Sequence, residues 1–220
     1  MKKLILLLIG ILAISCSGDD SNSGKKYLPT AILSSTGQFT LDYDSERRLS
    51  NLTVVGNEAY DFTYEGDRVA TITKLGGNGQ GIYTFTYEGE TITAYNFNGQ
   101  TYPVVYNQPA NILNNGIELY ENGELKSCRE NDGDVVIFTY DHSQKGAWHN
   151  GNDFIVPLLI INPEAYQFAI YLSRPALANF AVAGNLYTTT YEPNNRNLPQ
   201  MAYFVGSQNE VVAQYEYQNL

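Results

Sequence analysis

Cysteine is nearly absent: two, Cys16 and Cys128, occur in 220 residues. A small secreted scaffold stapled by disulfides is therefore excluded. Histidine is as scarce, with only His142 and His149, so the three- or four-ligand spacings of zinc sites are missing. Basic residues are few. Without Lys2 and Lys3, eleven stand against 23 acidic ones, a formal charge of −12. Such a chain repels nucleic-acid phosphates and anionic lipid headgroups alike. Long apolar runs are also missing after the beginning; Phe154-Ile155-Val156-Pro157-Leu158-Leu159-Ile160-Ile161 falls far short of the ~20 residues a spanning helix needs. Gly76-Gly77-Asn78-Gly79-Gln80-Gly81 lacks the dinucleotide fingerprint and joins two β segments, so it reads as a hairpin loop. No nucleophile motif is present, and no cofactor is implied.

What is present begins with an address. Met1-Lys2-Lys3 precedes an apolar run from Leu4 to Ile14, and Ser15-Cys16 ends it. A basic start, an apolar stretch and small residues form the three parts of a secretory signal, assigned to residues 1–15. Ala13-Ile14-Ser15-Cys16 resembles the lipobox at which prolipoproteins are acylated and cut. Cys16 is therefore expected to be the lipidation site, and the membrane to be engaged through that lipid. Residues 16–26 are small and polar and read as a tether. Asp19-Asp20 resembles the export signal that places lipoproteins of the Bacteroidota on the cell surface; it reads equally as a solvated linker. The expected location is the outer membrane of the cell envelope.

Residues 27–220 read as one β-rich domain, with hairpin repeats over 36–145 and a covering segment and closing hairpin over 146–220. The repeat is written in tyrosines, of which the chain has 18. Its copies are Phe39-Thr40-Leu41-Asp42-Tyr43-Asp44, Phe62-Thr63-Tyr64-Glu65-Gly66-Asp67-Arg68-Val69 and Phe85-Thr86-Tyr87-Glu88-Gly89-Glu90-Thr91-Ile92. Weaker copies surround Tyr120-Glu121-Asn122-Gly123-Glu124-Leu125 and Phe138-Thr139-Tyr140-Asp141. Each alternates apolar and polar residues with the period of a half-buried strand, then turns at an acidic residue and glycine. Tyr43-Asp44-Ser45-Glu46-Arg47-Arg48-Leu49 resembles the YD repeat of Rhs and teneurin proteins, and the whole is similar to YD-repeat-like lipoproteins of Bacteroidota. That resemblance implies a sheet built hairpin by hairpin; the departures from the repeat, with Thr91 and Leu125 where Arg68 keeps the arginine, and the small number of copies point to an open or partly curled sheet.

After the repeats, the apolar run at 154–161 reads as buried covering interrupted by Pro157. Asn162-Pro163-Glu164 reads as a helix start with Asn162 as N-cap, and a short helical insertion is expected near 163–182. Strands follow at 185–191, 201–205 and 210–217. The expected fold is mainly β.

Candidates for chemistry are sparse. His142 and His149 make a weak metal pair. Cys128 reads as a small buried hydrophobe. Glu130-Asn131-Asp132-Gly133-Asp134 has oxygen ligands without the EF-hand spacing, and a hairpin turn accounts for it. The repeat tyrosines read as structural rungs. The aromatics outside the repeat, Trp148, Tyr166, Tyr171 and Tyr203, are the candidate ligand-binding residues for a glycan or envelope protein. The expected function is a non-enzymatic binding or scaffold module; the alternative is a hydrolase of surface glycans or peptides.

Overall fold

A computed structural model describes residues 26–35, 37–107, 111–112, 114, 116–206 and 210–220. The expected signal peptide, the expected lipidation site Cys16 and the expected tether through residue 25 lie outside the described residues. β1 (Tyr27–Ser34) precedes the repeat region, which begins with β2 (Gly37–Tyr43), β3 (Leu49–Val54), β4 (Ala59–Glu65), β5 (Arg68–Leu75), β6 (Gly81–Glu88), β7 (Thr91–Phe97) and β8 (Gln100–Pro103). Short strands β9 (Tyr106–Asn107), β10 (Asn111–Ile112) and β11 (Ile117–Leu119) precede β12 (Leu125–Arg129) and β13 (Val135–Lys145). After the helical segment come β14 (Pro175–Val182), β15 (Asn185–Pro193), β16 (Pro199–Val205) and β17 (Glu210–Asn219).

The result is mainly β, with every pairing antiparallel. Sequence neighbours pair from β1 to β8 and again from β9 to β17. β1 also pairs with β17, from Tyr27↔Asn219 to Ser34↔Ala213. The sheet is thus curled until its first and last strands meet. It is not closed, because the ladder stops between β8 and β9, where the chain passes directly from one to the other through Val104 and Val105.

Period-two patterning sets what faces inward. Phe39 and Leu41 on β2, Tyr60 and Phe62 on β4, and Tyr83 and Phe85 on β6 are buried, while their neighbours are half-buried or exposed. One end of the curl carries the tyrosine turns at 44–48, 66–67, 89–90 and 120–124. The other end carries the return turns, with exposed Leu33, Val55, Leu75, Ile82, Leu186 and Val205 nearby.

The interior is filled by residues 147–172. α1 (Ile155–Ile161), a 3₁₀ turn (Pro163–Ala165) and α2 (Tyr166–Tyr171) run through it. Helices of seven and six residues have no stability of their own and depend on this packing. Phe168 meets Phe39 and Tyr60 edge-on at 5.5 and 6.1 Å, and Phe154 meets Phe62 at 5.7 Å. Such edge-to-face pairs are worth ~0.5–1.5 kcal/mol beyond their burial.

Three local expectations need correction. The helical part begins earlier, because Pro157 sits in the first turn of α1, where no amide donor is required, and so does not interrupt the run. Residues 176–182 belong to strand β14, paired on both sides, and add no helical turn. Asn162 stands before the 3₁₀ turn without capping it; its side-chain amide donates instead to the Tyr60 hydroxyl at 2.6 Å. That hydroxyl donates to Glu58, which pairs with nearly buried Lys74 at 3.1 Å. The network ties the interior helices to β4 and β5.

Candidate functional site

The repeat tyrosines act through their hydroxyls as well as their rings. Tyr43 donates to the Pro29 carbonyl, Tyr64 to Leu49, Tyr87 to Val69, Tyr140 to Leu125 and Tyr217 to Pro199, at 2.5–2.9 Å. Each acceptor lies 14–18 positions earlier, at or near the start of an earlier strand. Each rung therefore ties one strand to the strand before it, with which it is paired. Burial holds these phenols protonated: Tyr87 is pushed up to about 12, and Tyr43, Tyr140 and Tyr217 lie well above the ordinary tyrosine range.

Arginine completes two rungs. Arg48 lies over the Tyr64 ring at 4.7 Å and donates to the Gly66 carbonyl; Arg68 lies over Tyr87 at 5.1 Å and donates to Gly89. Asp44 binds Arg48 at 2.7 Å and accepts the backbone amides of Glu46 and Arg48. Its partial burial raises its pKa, but these hydrogen bonds outweigh that and keep it below the usual carboxylate range.

Inside the tyrosine-turn end lies a cavity of about 760 Å³. One wall is the interior segment, through Phe154, Ile155, Val156 and Leu172. The other is the sheet, through Val69, Ile92, Leu119 and Leu125 with the rings of Tyr87, Tyr106 and Tyr140. Asp67, Glu90 and Glu124 stand at its rim, each directly after the positive-φ glycine of its turn, Gly66, Gly89 or Gly123. Only glycine takes that backbone conformation without strain, so the turn chemistry fixes where these carboxylates stand. Among the described residues, the carboxylates of Asp67 and Glu90 have no ion-pair or hydrogen-bond partner. Glu124 Oε2 is buried without a hydrogen bond. His142 Nε2 approaches it at 3.4 Å, an ion pair only when the histidine is protonated, and outside hydrogen-bond geometry.

The four ligand candidates do not converge. Trp148 is 2% exposed, stacked on Tyr43 and edge-on to Phe154, and its Nε1 donates to the Asn152 carbonyl. It lines the cavity floor, but its faces are covered by protein. Tyr171 is buried between Phe39 and Phe204. Tyr166 is half-buried beside Glu130, its pKa raised by burial and by that carboxylate. Tyr203 sits on the outer face of β16, bonded to Glu192. The four lie apart: the interior holds Trp148 and Tyr171, while Tyr166 and Tyr203 occupy separate surfaces.

His142, His149 and Glu124 line one shallow depression beside the cavity, yet their ligand atoms do not form a three-ligand cluster. Among the described residues the one such cluster is Glu130, Asp132 and Asp134, within 4.8 Å of one another. It occupies the β12–β13 turn, closed by Gly133 N–H to the Glu130 carbonyl. Cys128 is buried, and its thiol is pushed up to about 12 by desolvation and then by Glu130 and Glu164. A thiol so held is a poor nucleophile.

No protein-family model matches the chain, and no curated protein matches it. Among solved structures, the chain is similar to a porin-like protein from Bacteroides uniformis, with 13% identity, TM-score 0.48, and coverage of 86% of this chain and 98% of that one. A porin-like protein from Bacteroides vulgatus gives 12% identity, TM-score 0.48 and coverage of 89% and 100%.

Proposed function

We propose that the protein is a surface-exposed outer-membrane lipoprotein of the cell envelope, anchored at Cys16. Its curled domain serves as a non-enzymatic binding module, with the cavity at the tyrosine-turn end as the binding site. The observation that carries this reading is the cavity itself. Its volume falls within the ~300–1,000 Å³ of small-molecule sites, and its walls are chiefly apolar. Its tyrosine hydroxyls serve the rungs, which fits binding by shape better than acid–base chemistry. Lys26, the first described residue, lines the cavity.

Fractionation tests the anchor. Wild-type chain is expected with acylated envelope proteins, and Cys16→Ser as unacylated precursor; a mutant that still carries lipid overturns the reading. Turnover of glycan or peptide substrates by the purified protein, lost on removal of Glu124, would replace the binding module with the hydrolase.

A further inference from the structure

Asn162 opens Asn162-Pro163-Glu164, the letters of a helix start, yet its side chain caps nothing. It turns inward, and its Nδ2 donates to the Tyr60 hydroxyl at 2.6 Å and to Glu58 Oε1 at 3.4 Å. The other oxygen of that carboxylate, Oε2, faces Lys74 Nζ at 3.1 Å. One carboxylate thus bridges an amine on β5 and a primary amide on the interior segment.

The surroundings keep water out. Lys74 and Asn162 are 5% and 7% exposed, and Tyr60 is fully buried. Lys74 Nζ lies over the Tyr60 ring at 5.8 Å, and Phe168 packs edge-on against the same ring. The glycine-rich loop covers the ion pair: a Cβ on Gly77 would stand 3.1 Å from Glu58 Oε2 and 3.8 Å from Lys74 Cε. Charges are costly to hold in such a place. A proton passed from Nζ to the carboxylate removes both charges and leaves a desolvated amine, which is a nucleophile.

We propose that Lys74 and Asn162 condense into an isopeptide bond, with Glu58 as the proton carrier. Nζ gives a proton to Glu58 Oε2, and the neutral amine adds to Asn162 Cγ. The carboxyl then protonates Nδ2, beside which its Oε1 already stands. The tetrahedral carbon expels that nitrogen as ammonia, and the new amide returns its surplus proton to Glu58. The Cγ–Nδ2 bond breaks, the Cγ–Nζ bond forms, and no oxidant or co-reactant is needed. The product staples β5 of the wall to the segment that fills it, in a chain whose Cys128 is a free thiol. None of these residues lines the cavity, so the binding reading stands or falls separately.

The test is the intact mass of the denatured full chain carrying Cys16→Ser, which bears no acyl group. One crosslink removes one ammonia, about 17 Da, from the mass of the sequence. Trypsin should then leave a branched product joining residues 69–126, uncut at Lys74, to residues 146–196. That product separates the crosslink from ammonia lost at an Asn-Gly pair such as Asn98-Gly99. Lys74→Met and Glu58→Gln, each checked for folding by circular dichroism, should keep the full mass. Lys126→Met removes a lysine that is also ion-paired, to Glu118, but half exposed, and should still lose the ammonia. A folded parent chain at full mass, or a branched product that survives Lys74→Met, overturns the proposal. A loss of about 18 Da, one water, would join Lys74 to Glu58 instead and overturn the assignment of Asn162. Crosslinking that survives Glu58→Gln overturns the proton carrier and leaves the bond. The parent chain decides the bond by itself, so a variant that fails to fold does not leave it open.

Discussion

The hydroxyl of Tyr64 donates to the carbonyl of Leu49 at 2.7 Å, across 15 positions of sequence. Asn152, from the interior segment, closes the arrangement by donating to the same hydroxyl at 2.9 Å and accepting the Leu49 amide at 3.2 Å. Wall, rung and filling meet at one phenol.

Tyr64→Phe should therefore cost more than one ordinary hydrogen bond. It leaves the Leu49 carbonyl and one Asn152 donor unpaired in a part-buried site, and a loss of about 1–3 kcal/mol is expected in urea unfolding. Tyr203→Phe removes only an exposed bond to Glu192 and should stay within about 0.5 kcal/mol. Equal effects at the two positions would refute the rung's role.

Gly151 is required by space. A Cβ there would fall 2.0 Å from Cε2 and 2.1 Å from Nε1 of Trp148, a ring held between Tyr43 and Phe154. Gly151→Ala must displace the indole, and a loss of about 1–3 kcal/mol or more is expected. Gly37→Ala, whose nearest neighbour would be 3.9 Å away, serves as the control. Thermal melts of the two variants make the comparison.

Alkali should unfold the protein cooperatively. The rung tyrosines have folded pKa values above the unfolded value of 10.0, so their contribution is fully present below pH 10 and is lost as pH rises through the folded values. Tyr87, at about 12, titrates before Tyr43, Tyr140 and Tyr217. Tyrosinate absorbance from the buried phenols should appear together with loss of the β circular-dichroism signal. Full titration near pH 10 with the β signal intact would contradict the rungs' burial.

Cys128 should ignore thiol reagents. Buried, with its pKa raised to about 12, it presents almost no thiolate at mildly alkaline pH. Dithionitrobenzoate is expected to label it only after denaturant is added. Rapid labelling of the native protein would show an accessible thiolate.

Much of the wall was legible because strand periodicity and turn chemistry are local. Phe62, Tyr64 and the Gly66 turn declare a hairpin within ten residues. The rim carboxylates were written in the same letters, since Asp67, Glu90 and Glu124 share the place after their glycines; that all three line one cavity was hidden because it depends on how the sheet curls. The interior was harder to read. Residues 154–161 are apolar on every side, so periodicity does not separate helix from strand. The stretch at 176–182 shows strand character only through its pairing with β13 and β15. The burial of Trp148 is illegible for a related reason: a lone tryptophan in a glycine-rich loop gives no local sign that the loop folds inward.

The pairing of β1 with β17 also bears on how the molecule is made. Strand β1 waits for a partner drawn from the far end of the chain, and the Leu220 amide donates to the Lys26 carbonyl as the two ends come together. Until β17 is in place, β1 keeps one edge unsatisfied, and such an edge is open to pairing with another molecule. The same adjacency makes the fold a candidate for circular permutation: joining residues 26 and 220 by a short linker and cutting at an exposed return turn should give the same walls from a different starting point.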